Sequence, residues 1–63
     1  MITREDVMAR TDDGVRHASA YWLITAHGVL AAAAARSPLT PEERCRLRLI
    51  EAEMRVRDLP VPR

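Results

Sequence analysis

Three observations predict an all-α fold, with a short N-terminal helix followed by an antiparallel helical hairpin. Apolar residues recur at helical spacings of three and four along most of the 63-residue chain. Ser, Thr and Pro fall where helices would start and stop. No β-branched run exceeds two residues, and there are only two Gly, so nothing reads as a strand or hairpin turn.

The first helix is predicted over about 4–10. Thr3 can cap it, and Asp6 three residues later is a weaker relative of the capping box. The segment Thr11-Asp12-Asp13-Gly14 opens the second, predicted over about 13–36, because acids in a first turn suit the helix dipole. It should stop at Arg36-Ser37-Pro38-Leu39, where Pro38 disfavours helical geometry in Ser37. The third helix, about 41–58, carries the clearest signal. Thr40 is its cap, Pro41 sits at the first helical position where no N–H is needed, and Glu43 completes a capping box. Pro60 ends it. Residues 1–59 then form one helical domain, and 60–63 an extended Pro-rich tail.

The helix faces carry the functional reading. Cys45, Leu49, Ala52, Val56 and Leu59 form a coiled-coil-like seam, expected to pack on Val15, Trp22, Val29 and Ala33. Leu47, Ile50 and Met54 form a second apolar set. Glu42–Arg46, Glu51–Arg55 and Glu53–Arg57 each place an acid four residues ahead of a base, the favourable order on a solvated helix. A two-helix hairpin buries one stripe per helix and leaves the other bare, and a chain this short, with no internal disulfide possible for its single Cys45, ordinarily needs a companion. The sequence thus predicts a bundle completed by oligomerisation or by a protein partner, most simply a homodimer. Tyr21, Ile24, Leu47, Ile50 and Met54 are the expected interface. On that reading Ile50→Glu would lower the oligomeric mass or abolish partner capture while modest helicity survives. Which stripe faces inward is not decided by periodicity.

Composition narrows the function. All ten basic residues are Arg, and Lys, Asn, Gln and Phe are absent, a bias of GC-rich bacterial or phage genes. Net charge is +1, far from the strong field of a dedicated nucleic-acid binder. Met1–Arg10 holds no apolar stretch of the secretory kind, which together with the lone Cys predicts a cytoplasmic protein. His17 and His27 lie ten residues apart on one predicted helix and cannot share an ion, Cys45 has no neighbouring His to activate it, and the acid pairs Asp12-Asp13 and Glu42-Glu43 sit at helix starts where capping explains them. No catalytic, cofactor or metal site is expected. The function predicted is a non-enzymatic adaptor, structural component or small regulator.

The same residues admit two alternatives. Residues 3–23, with Val7-Met8-Ala9 before a turn at Asp12-Asp13-Gly14 and Val15 to Leu23 after it, resemble the helix-turn-helix of small phage and bacterial regulators. That resemblance implies DNA contacts from Arg16, His17 and Ser19. The turn departs from the pattern in its two acids and in being one residue longer. A single membrane span over the uncharged run Ala18–Ala35 is the other alternative, although Ser19, Thr25, His27 and Gly28 interrupt it and alanine contributes little transfer energy.

Overall fold

Every helix of this chain starts at a hydroxyl. The side chains of Thr3, Thr11, Ser19 and Thr40 accept the backbone N–H three residues on, from Asp6, Gly14, Trp22 and Glu43, at 2.9–3.2 Å. In the computed structural model, which describes residues 1–62, these caps open α1 (Arg4–Ala9), α2 (Asp12–Arg16), α3 (Ala20–Arg36) and α4 (Pro41–Val56). At Thr3 and Thr40 the acid returns the bond, Asp6 and Glu43 each accepting the cap residue's N–H at 2.9 Å. Among the described residues there is no strand, and the all-α class stands.

The expected second helix is two helices. It breaks at His17–Ser19, and Asp12–Gly14, which the helix-turn-helix alternative made a turn, is helical, inside α2. In an unbroken helix the carbonyls of Arg16 and Ala18 would accept from Ala20 and Trp22. Here the Arg57 guanidinium donates to both carbonyls, to Arg16 at 2.7 Å, while Ser19 Oγ takes the Trp22 N–H. Arg57 also donates to Glu53 Oε1 at 3.1 Å, so its fork is held from its own helix.

α4 ends two residues short of the expected Asp58. Asp58 has φ 59°, its N–H reaches the Arg55 carbonyl at 3.0 Å, and the Leu59 N–H reaches back to Met54 at 2.8 Å. This is a Schellman motif with aspartate where glycine is usual. Asp58→Gly is expected to raise stability by about 0.5–1 kcal/mol, since a left-handed conformation costs an L-residue more than it costs glycine. Thermal melts should move up by a few degrees, and an unchanged melt would show the position to be unstrained. The tail is not free of the fold, as Leu59 and Val61 pack against the core. Arg63 lies outside the described residues.

α3 and α4 run antiparallel, His27 meeting Glu51 while Ala18, nearer the N-terminus, meets Arg57. α1 lies against α3 and α2 against α4. The core is Val7, Val15, Trp22, Leu23, Ala26 and Leu30 with Ile50 and Met54 of α4. Val7 and Val15 thus give the hairpin a second layer from the same chain.

The inward stripe of α4 is the reverse of the expected pairing. Ile50 and Met54 are fully buried, whereas Cys45, Ala52 and Val56 of the supposed seam are exposed and only Leu49 and Leu59 touch the core. The seam's members include the small side chains of Cys45 and Ala52. Ile50 and Met54 remove more apolar area from water per residue, and the bonds of Glu43 and Arg57 hold the helix in that rotation.

Candidate interaction surface

Of the five expected interface residues, Ile50 and Met54 lie in the core and Leu47 is half-buried against it. Ile50 and Met54 contribute no free face, because the rotation of α4 turns them inward, while Leu47 keeps part of its side chain in an open groove beside Leu39 and Arg48. Tyr21 and Ile24 do stand in solvent, at 75% and 45% exposure. Both belong to α3, and the structure shows what surrounds them.

α3 is 17 residues long and carries no formal charge before Arg36. Its inner side holds Trp22, Leu23, Ala26, His27 and Leu30. Opposite, at spacings of three and four, stand Tyr21, Ile24, Gly28, Ala31, Ala32 and Ala35, every one exposed. A Cβ built on Gly28 would meet nothing within 4 Å, so the middle of this face is open. The result is a strip with a bulky N-terminal end and a flat C-terminal one. Solvated helix faces normally carry charge; this one carries none.

Several charged groups elsewhere hold helices together. Arg4 donates through Nη2 to Glu43 Oε1 at 2.6 Å and through Nε to Glu43 Oε2, tying α1 to the start of α4. The Arg4 bond, with the Thr40 N–H second, lowers the Glu43 pKa to about 2, and the same bond raises that of Arg4. Because the folded value lies below the unfolded one, the stabilisation is complete above about pH 4.3, the unperturbed glutamate value, and is lost as pH falls toward 2. Thermal melts of the native chain should therefore decline across that window, and those of Glu43→Gln should decline less. Parallel curves for the two would contradict the assignment.

His27 is buried and shares a hydrogen bond with Glu51 through Nε2 and Oε2 at 2.9 Å. Arg46 Nη2 lies 3.4 Å from Asp12 Oδ1. These partners displace two of the three expected pairs. Glu53–Arg57 forms, but Glu51 turns to His27 and Arg46 to Asp12, which leaves Glu42 and Arg55 without ion partners among the described residues. Beside Arg46 an open groove of about 580 Å³ runs between α1 and α4, walled by Met8, Cys45 and Leu49. Cys45 is exposed there as a free thiol.

Arg16, His17 and Ser19, the expected DNA contacts, lie together at the α2–α3 corner and not along the start of a long helix. Ser19 is committed to its cap, the Arg16 carbonyl to Arg57, and His17 Nδ1 to the Asp13 carbonyl at 2.9 Å. Among the described residues no cluster of three His, Cys, Asp or Glu could hold a metal, and no helix is long and apolar enough to cross a membrane.

No protein-family model, curated protein or solved structure matches this chain. Tyr21 and Ile24 were legible as a secondary stripe. The small residues completing their face were legible too, but only the break at Ser19 shows where the stripe begins.

Proposed function

We propose that this chain is a small, non-enzymatic cytosolic interaction module, an adaptor, structural component or regulator, that binds protein through the outer face of α3. The observation that carries the reading is the uncharged, exposed strip of Tyr21, Ile24, Gly28, Ala31 and Ala35 on a helix whose opposite side already fills the core. Apolar side chains that the fold leaves in water without internal use are what a helix-on-helix contact would cover. Tyr21 suits the edge of such a contact, since its ring can be covered while its hydroxyl stays wet.

The test is the pair Tyr21→Ser and Ile24→Glu in one chain. Both positions are exposed, so the melting temperature should move by no more than a few degrees. Self-association at high concentration, or retention of a protein that the native chain holds in its own cells, should be lost. If the double variant associates as the native chain does, the α3 face is not the binding surface.

A further inference from the structure

We infer that the groove between the C-terminal end of α3 and the N-terminal half of α4 docks an acidic segment of a partner protein. One apolar side chain enters the groove while carboxylates beside it meet Arg44, Arg48 and Arg55. The inference rests on the reading of the chain as a protein-binding module and adds a second surface, together with the charge of what that surface takes.

The cations are assembled by position on α4. Arg44, Arg48 and Arg55 fall at intervals of four and seven on one edge of the helix, about 6 and 10 Å apart along its axis. All three are exposed, and none has an ion partner among the described residues. The acids that could neutralise them are engaged or absent. Glu43 is held by Arg4 and Glu53 by Arg57, and α3 contains no acid. Glu51, placed by its spacing to pair with Arg55, turns instead to the buried His27 at 2.9 Å. The edge is left with three cations and one acid that is already bonded.

Beside this edge lies an open groove of about 430 Å³, lined by Ala34, Pro38, Leu39 and Leu47, with Arg44 and Arg48 on its wall. Glu51 is the only acid that reaches it. Arg44 is fixed there, since its Nη1 donates to the Leu39 carbonyl at 3.0 Å. A guanidinium already held in place loses less side-chain freedom when it meets a carboxylate. Apolar lining flanked by guanidinium groups fits an occupant that is itself part apolar and part anionic. A nucleic acid would meet the charge, but the groove offers no aromatic ring to stack a base and no amide or hydroxyl side chain to read one. A protein segment that mixes Leu or Ile with Glu or Asp supplies both parts, and Arg forks match carboxylates through paired bonds. One seated side chain and a few solvated ion pairs set the dissociation constant in the micromolar range or weaker.

The test is fluorescence anisotropy of the full chain with a fluorescein-labelled peptide, Leu-Glu-Glu-Leu-Glu-Glu-Leu, and with its counterpart carrying Gln for every Glu. The acidic peptide should bind saturably, several-fold more tightly than the Gln peptide, and more weakly as salt rises. Arg48→Glu should weaken it by about fivefold or more through lost attraction and new repulsion. The melting temperature of that variant should move by no more than a few degrees, because Arg48 is exposed. Arg16→Glu makes the same change in net charge at the α2–α3 corner and should leave the affinity within about twofold of native.

Equal binding of the two peptides, no saturation at millimolar protein, or an Arg16→Glu loss as large as that of Arg48→Glu would each overturn the inference. Labelled oligothymidylate bound more tightly than the acidic peptide, and released by Arg48→Glu, would assign the edge to nucleic acid instead. Tyr21→Ser, which alters the α3 strip without adding charge, should not change the peptide affinity. A peptide lost in Tyr21→Ser and kept in Arg48→Glu would sink the groove and leave the α3 face standing. A peptide that behaves as expected, while the Tyr21→Ser, Ile24→Glu chain still associates as the native one does, would remove the α3 face and leave the groove.

Discussion

Ile50→Glu is expected to abolish the cooperative melt and leave the chain predominantly unfolded in water. Ile50 has no exposed surface and sits in the cluster of Leu23, Leu30 and Met54. A carboxylate there would lose its hydration without a guanidinium to meet it, a cost of several kcal/mol. The core of a chain this size rarely supplies more than about 3–5 kcal/mol. The milder substitutions grade the same argument: Ile50→Val should cost about 0.5–1.5 kcal/mol and Ile50→Ala about 2–5. Circular dichroism with thermal and urea melts reads all three. A folded Ile50→Glu monomer with native helicity would mean that α4 presents this residue outward. Val56→Ala on the opposite side, where Val56 is 79% exposed, should change stability by less than about 0.5 kcal/mol.

Arg57→Ala should cost about 2–3 kcal/mol, the second-largest effect, although the residue is only half-buried and belongs to no core. Its fork links the Ala18 and Arg16 carbonyls to Glu53, and those carbonyls are the ones that the break between α2 and α3 releases. Removing it leaves the Ala18 carbonyl without its donor and frees the corner to propagate as helix across His17–Ser19. Arg57→Lys should recover little, because a single ammonium cannot serve carbonyls two residues apart and a carboxylate with planar geometry. Urea denaturation of the two variants measures this directly. A lysine variant as stable as the native chain would show that charge alone, and not the fork, matters at this site.

Helix starts were legible because they are local. A hydroxyl and the amide three residues on are enough to define a cap, and Thr3 and Thr40 could be placed, and the start at Thr11 bracketed to within a residue or two, with no knowledge of the rest of the chain. Ser19 carries the same signal and is missed, since it lies within a continuous apolar pattern and has no acid at the capping-box position, where Trp22 stands. What makes it a helix start is a guanidinium nearly forty residues away. The ion pairs follow the same division. Glu53–Arg57 lies within one helix and forms, while Glu51 and Arg46 find better-placed partners on α3 and α2. Tyr21 and Ile24 remain candidates for the interface because both stripes of α3 are apolar and one has to face water. Ile50 and Met54 do not, because α4 also has two stripes and theirs removes more apolar area from water per residue.

By itself, then, the amino-acid order determined the all-α class, three of the four helix starts, the α3–α4 hairpin and the uncharged character of α3. These follow from backbone capping and side-chain periodicity, which act within a turn or two of helix. Only the tertiary structure decided the break at Ser19, the rotation of α4 that buries Ile50 and Met54, and the internal covering of the hairpin by Val7 and Val15. Each of these is a choice between locally equivalent alternatives. It is settled by how much apolar area and how many hydrogen bonds each arrangement closes across the whole molecule, and that sum does not exist until distant segments meet.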